Sequence, residues 1–264
     1  MALDLSHTRL GSGEPLLLVH GLGGSKVMWE PLYELLAPRR ELIAVDMPGF
    51  GRSPPMPEGV EPSAANIAAA ILDFSDTLEL GSLPHVCGNS LGGWVAIEAA
   101  RQRRARSVVG LCTAGFWSRP VGPRRSQART AARLLAPLAG LLLGSERVKS
   151  GILAAQVRHP ERVSREQALD MVRSYATATG YDRANALMRG NVIGDVSALG
   201  VPLTLAWGER DNLVRRTPLP GVSPSVRQVV LPDSGHVPTW DAPELVAELI
   251  LDAARVETAG GVTR

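Results

Sequence analysis

Apolar positions along this chain fall into two kinds of run that alternate through most of its length. Leu16–His20 (LLLVH), Glu41–Asp46 (ELIAVD), His85–Ser90 (HVCGNS) and Ser107–Cys112 (SVVGLC) show no polar residue at every second position. A strand with one wet face alternates, whereas one covered on both faces does not. These runs therefore predict strands of a parallel sheet flanked by helices. LTLAWG (Leu203–Gly208) and VRQVVL (Val226–Leu231) predict later strands of the same sheet. Between them, Pro62 and Ser63 open a stretch with apolar residues at helical spacing, and a Ser/Pro start is a helix N-terminus signal. Leu91–Arg103 follows HVCGNS with almost no loop, and Pro243–Val256 is amphipathic. Such alternation predicts right-handed βαβ units, hence an α/β fold with a mostly parallel, doubly wound sheet.

The alternation breaks between Phe116 and Asn191, where several helices but no strand are predicted. The expected organisation is an α/β core over residues 1–115 and 192–264, with residues 116–191 inserted as a helical cap, or lid. The cap opens on an arginine-bearing stretch (Arg119, Arg124, Arg125, Arg129, Arg133), followed by Leu134, Leu135, Leu138, Leu141, Leu142 and Leu143. One reading is a greasy lid over an apolar substrate with arginines at its rim. The plainer expectation is that the leucines pack the lid onto the core and the arginines are solvated. Trp94, Phe116 and Trp117 are candidates for core or pocket wall. The closing residues TAGGVTR read as a frayed tail.

Composition adds exclusions rather than detail. At 264 residues, 45% hydrophobic and 20% charged, the chain suits one large globular domain. Its 28 basic and 26 acidic residues leave +2, which makes no electrostatic case for a nucleic-acid or membrane partner. Cys87 and Cys112 each sit in an apolar run and are expected as buried free thiols. MALDLSHTRLGSGE carries acids and no apolar core, so no signal peptide is expected. Leu134–Leu143 contains Pro137 and is too short to span a bilayer. The expectation is a cytoplasmic protein acting on a small molecule.

The sharpest chemical signal is Gly88-Asn89-Ser90-Leu91-Gly92-Gly93, between a buried strand and a helix. A tight strand-to-helix turn forces the central residue into a strained conformation, and flanking glycines leave room for it. The turn lifts the Ser90 hydroxyl above the sheet edge, with a helix N-terminus beneath to favour an oxyanion. A serine hydroxyl needs a base to take its proton. Of His7, His20, His85, His159 and His236, only His236 follows the last strand, where loops gather at the same sheet edge. The base needs a carboxylate to fix its tautomer. Asp211 in WGERD is the candidate, with Glu209 and Asp233 as competitors; Asp233 fits a turn-shaping role better. The expected oxyanion donors are the backbone N–H groups of Leu91 and of Leu22 in HGLGG. His20 is expected to hold that loop by hydrogen bonds.

HGLGG, DMPGFGRSP, GNSLGGW, WGERD and SGHVP, in this order and spacing, resemble the α/β-hydrolase superfamily and its smaller single-domain esterase-like members. The likeness covers nearly the whole chain outside 116–191. It implies Ser90, Asp211 and His236 as a catalytic triad, Leu22 and Leu91 as oxyanion donors, and no cofactor or metal. DMPGFGRSP resembles the loop beside the pocket, with Asp46, Arg52 and Ser53 structural and Phe50 a candidate for the cavity wall. Dehalogenases and epoxide hydrolases of this fold generally use an aspartate nucleophile, and Ser90 speaks against both. Carbon–carbon bond hydrolases share GNSxGG but often carry tryptophan after the histidine, where Val237 stands. Cofactor-free perhydrolases commonly carry methionine where Leu91 stands. The implied activity is hydrolysis of a carboxylic ester, or related acyl bond, of a small, largely apolar molecule. Carbon–carbon bond hydrolysis, or a non-catalytic binding protein on this scaffold, are the alternatives.

Overall fold

The structure, a computed structural model, describes residues 2–122, 127–214 and 226–255. Its first half runs β1 (His7–Leu10), β2 (Glu14–Val19), α1 (Tyr33–Leu36), β3 (Arg40–Val45), α2 (Ala64–Asp76), β4 (His85–Asn89), α3 (Leu91–Arg101) and β5 (Val108–Leu111). Helices follow: α4 (Gln127–Leu135), α5 (Ala139–Leu142), α6 (Glu146–Leu153), α7 (Arg165–Thr177) and α8 (Tyr181–Gly190). The chain then returns to the sheet with β6 (Leu203–Gly208) and β7 (Arg227–Leu231), and ends in α9 (Pro238–Asp241) and α10 (Pro243–Ala253). The expected strands and helices thus form within a few residues of their predicted ends. Arg124, Arg125, Val256 and the terminal TAGGVTR lie outside the described residues.

The strands form one sheet in the order β1-β3-β2-β4-β5-β6-β7. All pairs are parallel except β1 with β3, where His7 pairs Val45 and Leu10 pairs Leu42. β1 is the one strand absent from the sequence reading; HTRL is too short for a periodic signal. Along β2, Leu16 and Leu18 enter one hydrophobic cluster, with Trp29, Leu32, Leu36 and the α10 residues Val246 and Ile250. Leu17 and Val19 enter the other, with Ile67, Ile71, Val95 and Ile97 of α2 and α3. Neighbouring side chains of a strand point to opposite faces, so a strand buried on both sides must be apolar throughout. Ser63 caps α2 as its sequence suggests, its Oγ accepting from Asn66 N at 3.2 Å.

Two connections give the sheet its working edge. From β2 the chain moves outward to β3, then crosses back so that β4 lies on the other side of β2. At such a reversal the loops leaving the two inner strands diverge and open a crevice at the carboxyl edge. Those loops are HGLGG after β2 and the Ser90 turn after β4.

Between β5 and β6 the described residues form helices and no strand. Two expectations there hold only in part: Leu143 is buried, and Arg119 and Arg133 are exposed, but others of both kinds are not so placed. Leu134, Leu135, Leu138 and Leu141 face largely outward, 75%, 49%, 53% and 78% exposed. Arg129 is 2% exposed rather than solvated. Its guanidinium donates to Tyr175 O at 3.1 Å, to the Ala178 carbonyl and to Asp182 at 2.6 Å, and lies 4.5 Å from the Tyr181 ring centre. A planar five-donor group can satisfy several carbonyls at once, which a run of helix ends requires. Arg129→Met removes those donors and leaves buried carbonyls unsatisfied. It is expected to lower stability by about 2 kcal/mol and to speed limited proteolysis within α4–α8. Cleavage at the wild-type rate would show that Arg129 does not hold these helices.

Candidate active site

Ser90 stands between the last residue of β4 and the first of α3, with φ 55° and ψ −115°. That backbone costs a non-glycine residue about 1–3 kcal/mol, so its surroundings must impose it. Ser90 N donates to Leu111 O at 2.8 Å and Ser90 O accepts from Ala114 N at 3.1 Å, which pins the turn against β5. A β-carbon on Gly92 would collide with the Val19 carbonyl oxygen, so only glycine lets the first turn of α3 lie against the end of β2. Leu91 occupies that first turn, where a backbone N–H has no helical acceptor and the helix dipole is positive.

The HGLGG loop passes the same point. A β-carbon on Gly21 would stand 3.2 Å from Ser90 Cβ, so the loop runs directly beside the serine, with Leu22 half-buried in it. His20 holds the loop with both ring nitrogens: Nδ1–H donates to Gly21 O at 2.7 Å and Nε2 accepts from Met47 N at 2.9 Å. Complete burial pushes its pKa below the ordinary 6.5, against the opposing pull of Asp46, and keeps the ring neutral. Asp46 in turn accepts from Lys26 N at 2.7 Å and Arg52 N at 3.0 Å, and the Ser53 hydroxyl donates to Asp46 O at 2.6 Å. These residues fasten the loops together. Phe50 is fully buried with its edge on His20, so it is core rather than cavity wall.

Asp211 leaves the end of β6 and His236 follows β7. The structure brings them together: His236 Nδ1–H donates to Asp211 Oδ2 at 2.8 Å. Asp211 Oδ1 accepts from Leu213 N at 2.8 Å and Val214 N at 3.0 Å. Burial alone would raise the Asp211 carboxyl, but the hydrogen bond and charge of His236, with those two N–H donors, hold it below the usual carboxylate range. An ionised carboxylate on Nδ1 leaves the lone pair on Nε2, the tautomer a base requires. The competing carboxylates are engaged elsewhere. Glu209 Oε2 accepts from Asp233 N at 3.2 Å. Asp233 takes φ 45° in its turn and binds Arg158 and His159. His7 packs on Phe74, and His85 sits at the opposite end of β4 with Ser107 at 2.8 Å.

Three buried residues tie these loops to one another, of which the sequence marked only Cys112, and only as the buried free thiol that it is. Asn89 Nδ2 donates to His236 O at 2.8 Å and to Leu111 O at 3.2 Å, linking the residue before Ser90 to the histidine backbone. Asp241 accepts from Gly235 N at 2.7 Å and from Arg158 N and His159 N at 2.9 and 2.8 Å. Cys112, at φ 47°, accepts from Gly208 N at 3.4 Å and donates to Gly235 O at 3.7 Å, so it is more than a small hydrophobe. The signal for Asn89 was a polar side chain at the end of a buried strand; for Asp241, a carboxylate five residues after the histidine. Cys112 gave none for its hydrogen bonds.

Donor atoms of Cys112, Asp211 and His236 lie within 4.8 Å of one another, a spacing compatible with a metal ion. The chemistry of the set fits poorly. Nδ1 and Oδ2 face each other in a hydrogen bond, and burial together with the Asp211 charge raises the thiol pKa far above its ordinary value. A neutral thiol is a weak ligand.

The alpha/beta hydrolase family model matches residues 16–249, most of the chain, including Ser90, Asp211 and His236. The chain belongs to the alpha/beta hydrolase family. Among curated members, a pimeloyl-[acyl-carrier protein] methyl ester esterase of Aeromonas hydrophila is 28% identical, covering 94% of this chain and 98% of its own length. An epoxide hydrolase, EphH, of Mycobacterium tuberculosis is 31% identical over 65% of this chain and 86% of its own. Among solved structures, a thermophilic esterase from Thermogutta terrifontis superposes with a TM-score of 0.71 at 24% identity, covering 96% and 93% of the two chains. That last likeness shows the fold alone. By family and relatives, this alpha/beta hydrolase is a hydrolase.

The buried neutral His20 gives a pH test of how its loop is held in this alpha/beta hydrolase. Because its native pKa is depressed, the unfolded chain binds the proton more readily. Its contribution is present above about 6.5 and is lost as pH falls towards the lower native value. His85 is also depressed by burial, so the informative quantity is a difference. Urea unfolding from neutral to mildly acidic buffer should show a shallower pH slope for His20→Gln than for wild type. Parallel slopes would reject the assignment of a neutral, load-carrying His20.

Proposed function

We propose that this chain is a serine hydrolase that cleaves a carboxylic ester, or related acyl bond, of a small and largely apolar substrate through an acyl-enzyme on Ser90. The observation that carries the reading is the buried 2.8 Å hydrogen bond from His236 to Asp211, at the sheet edge where Ser90 sits in its strained turn. In the mechanism, His236 Nε2 takes the Ser90 hydroxyl proton as Oγ bonds to the substrate carbonyl carbon. The carbonyl oxygen becomes an oxyanion, to which Leu22 N–H and Leu91 N–H donate. The C–O bond to the leaving group breaks, the leaving oxygen takes the proton from Nε2, and the acyl group stays on Oγ. Water then repeats the sequence with His236 again base and then acid, releasing the carboxylic acid and restoring Ser90. Asp211 keeps its charge throughout and stabilises the imidazolium.

The named activities of the relatives support this reading unequally. The Aeromonas protein is named an esterase and resembles this chain along nearly its whole length. The Mycobacterium protein is named an epoxide hydrolase, a reaction for which this fold generally uses an aspartate nucleophile, where Ser90 stands here. No specific observation favours carbon–carbon bond cleavage. A binding protein would gain nothing from an oriented, buried Asp–His pair beside a strained serine.

Hydrolysis of p-nitrophenyl esters of graded acyl length tests the nucleophile and sizes the pocket together. Ser90→Ala is expected to lose about 10³-fold or more in turnover. Undiminished hydrolysis by Ser90→Ala would remove the serine from the mechanism. Failure of the folded wild type to react with a fluorophosphonate would favour the binding-protein alternative.

The acid is tested separately. Asp211→Asn presents an amide N–H to Nδ1 and moves the ring proton to Nε2, so a loss of about 10³-fold or more is expected with the fold intact. Asp233→Asn should retain near wild-type turnover. The reverse pattern would transfer the role to Asp233.

A further inference from the structure

The near-neutral total charge conceals a division. Residues 116–191 hold thirteen Lys and Arg against five Asp and Glu, a formal +8 in a chain of +2, so the remainder is −6. Within this cationic stretch, α4 and α5 with the short turn between them make one nearly continuous helical run over 127–142. Its inward side is set by Arg129 and Ala139, and by Leu143 just beyond its end, all buried, with Ala132 and Ala136 partly so. Its outward side carries Leu134, Leu138 and Leu141, three and four residues apart, with Leu135 beside them. Leu134 and Leu141 are more than three-quarters exposed or close to it, at 75% and 78%. An exposed leucine ridge of this kind costs solubility and marks a contact surface.

Cations flank the ridge. The Arg165 guanidinium donates to the Gly140 carbonyl, between Leu138 and Leu141; Arg147 is exposed at the start of α6 beside Glu146; Arg133 is about half exposed, its Nε donating to Ala176 O at 3.1 Å and its guanidinium 3.6 Å from Asp182. We propose that this ridge docks the protein on an anionic lipid surface, the leucines entering the boundary between headgroups and acyl chains and the arginines meeting the headgroup charge. A helix with protruding leucines and flanking arginines lies in the plane of such an interface rather than across it. Among the described residues no helix is long and apolar enough to cross a membrane. A protein partner fits less well. Leucine is under-represented at the centres of protein interfaces, which favour aromatic anchors, and the ridge carries none. The docking stands apart from the chemistry at Ser90, and vesicle binding reads it without turnover.

Sedimentation with vesicles of phosphatidylcholine alone, and of phosphatidylcholine mixed equally with phosphatidylglycerol, tests it. The wild type should sediment with the mixed vesicles, less in high salt, and stay largely in solution with phosphatidylcholine alone. Ser90→Ala should behave identically, which separates this result from the fate of the serine mechanism. The triple variant Leu134→Gln, Leu138→Gln, Leu141→Gln should lose about tenfold or more in partitioning while keeping its melting temperature and its p-nitrophenyl acetate rate. Arg147→Glu should weaken binding to the mixed vesicles alone. Wild type remaining in the supernatant with both vesicles would overturn the proposal, as would a triple variant that binds equally well. A dimer on gel filtration that the triple variant dissolves, without vesicle binding, would overturn it in favour of a second copy of this chain on the ridge.

Discussion

At the carboxyl end of β4 the chain passes from strand to helix through a single residue. Ser90 takes φ 55° there, and its turn is held by two other strand ends: Leu111 O of β5 accepts from Ser90 N at 2.8 Å, and the Val19 carbonyl of β2 lies hard against Gly92 in α3. A β-carbon at Gly88 would collide with the Gly92 carbonyl, which measures how tightly the turn closes. Strain of this size persists only where neighbours over-determine the conformation. The parallel sheet supplies them, because β2 and β5 flank β4 in register, Val19 against Gly88 and Leu111 against Asn89. The fold therefore does more than carry the serine; it imposes the backbone conformation of the turn that holds it.

The same economy of position governs Asp211 and His236, the proposed acid and base. Asp211 and His236 come from different strand ends, and a 2.8 Å hydrogen bond between them survives only if both loops are fixed. Their backbones are fixed by Asn89, Cys112 and Asp241, each buried and each bonding a loop other than its own. Asp241 also binds Arg158 N and His159 N, and Val237 N donates to Gln156 O at 2.9 Å. The histidine loop is thereby joined to the connection between α6 and α7, so these helices support the site from the side as well as adjoining it.

What could be read from the sequence follows from the range of the forces involved. Strands buried on both faces leave a local pattern, so β2, β3, β4, β5 and β6 were visible within one or two residues. β1 was not, since its four residues are specified by the pairing with β3 rather than by their own periodicity. Ser90, Asp211 and His236 were nameable because the turn and strand-end motifs that carry them are local. Asn89, Cys112 and Asp241 act over 147, 123 and 83 positions respectively, and long-range hydrogen bonds write nothing into a single sequence. The helices after β5 were legible as helices but not by face. Their leucines and arginines were assigned from residue type, and the structure exchanges the expected places: Arg129 lies inside, with Leu134 and Leu141 outside. A guanidinium that can satisfy several helix-end carbonyls gains more from burial there than a leucine does, which is why type alone misleads.

That inversion also couples the two sides of these helices. On its inner side α7 grips the loop beside Ser90: the Ser25 hydroxyl donates to Asp170 at 2.5 Å and the Ser174 hydroxyl to Gly24 O at 2.8 Å. The Tyr175 and Tyr181 rings stand edge to face, 5.3 Å apart, against Gly23. α4 and α5 pack on α7 through Arg129 and Ala139 and present their leucines outward. The leucine ridge and the loop carrying Leu22 therefore lie on opposite sides of the same packed helices. Tyr175 O and Ala178 O, at the end of α7, are acceptors of the same buried guanidinium, so α4 cannot shift without releasing bonds that position α7. Packed contacts of this kind transmit displacement because the interior has little free volume to absorb it. Arg129, α7 and Gly24 thus form one contiguous set of packed and hydrogen-bonded contacts between α4 and the loop beside Ser90.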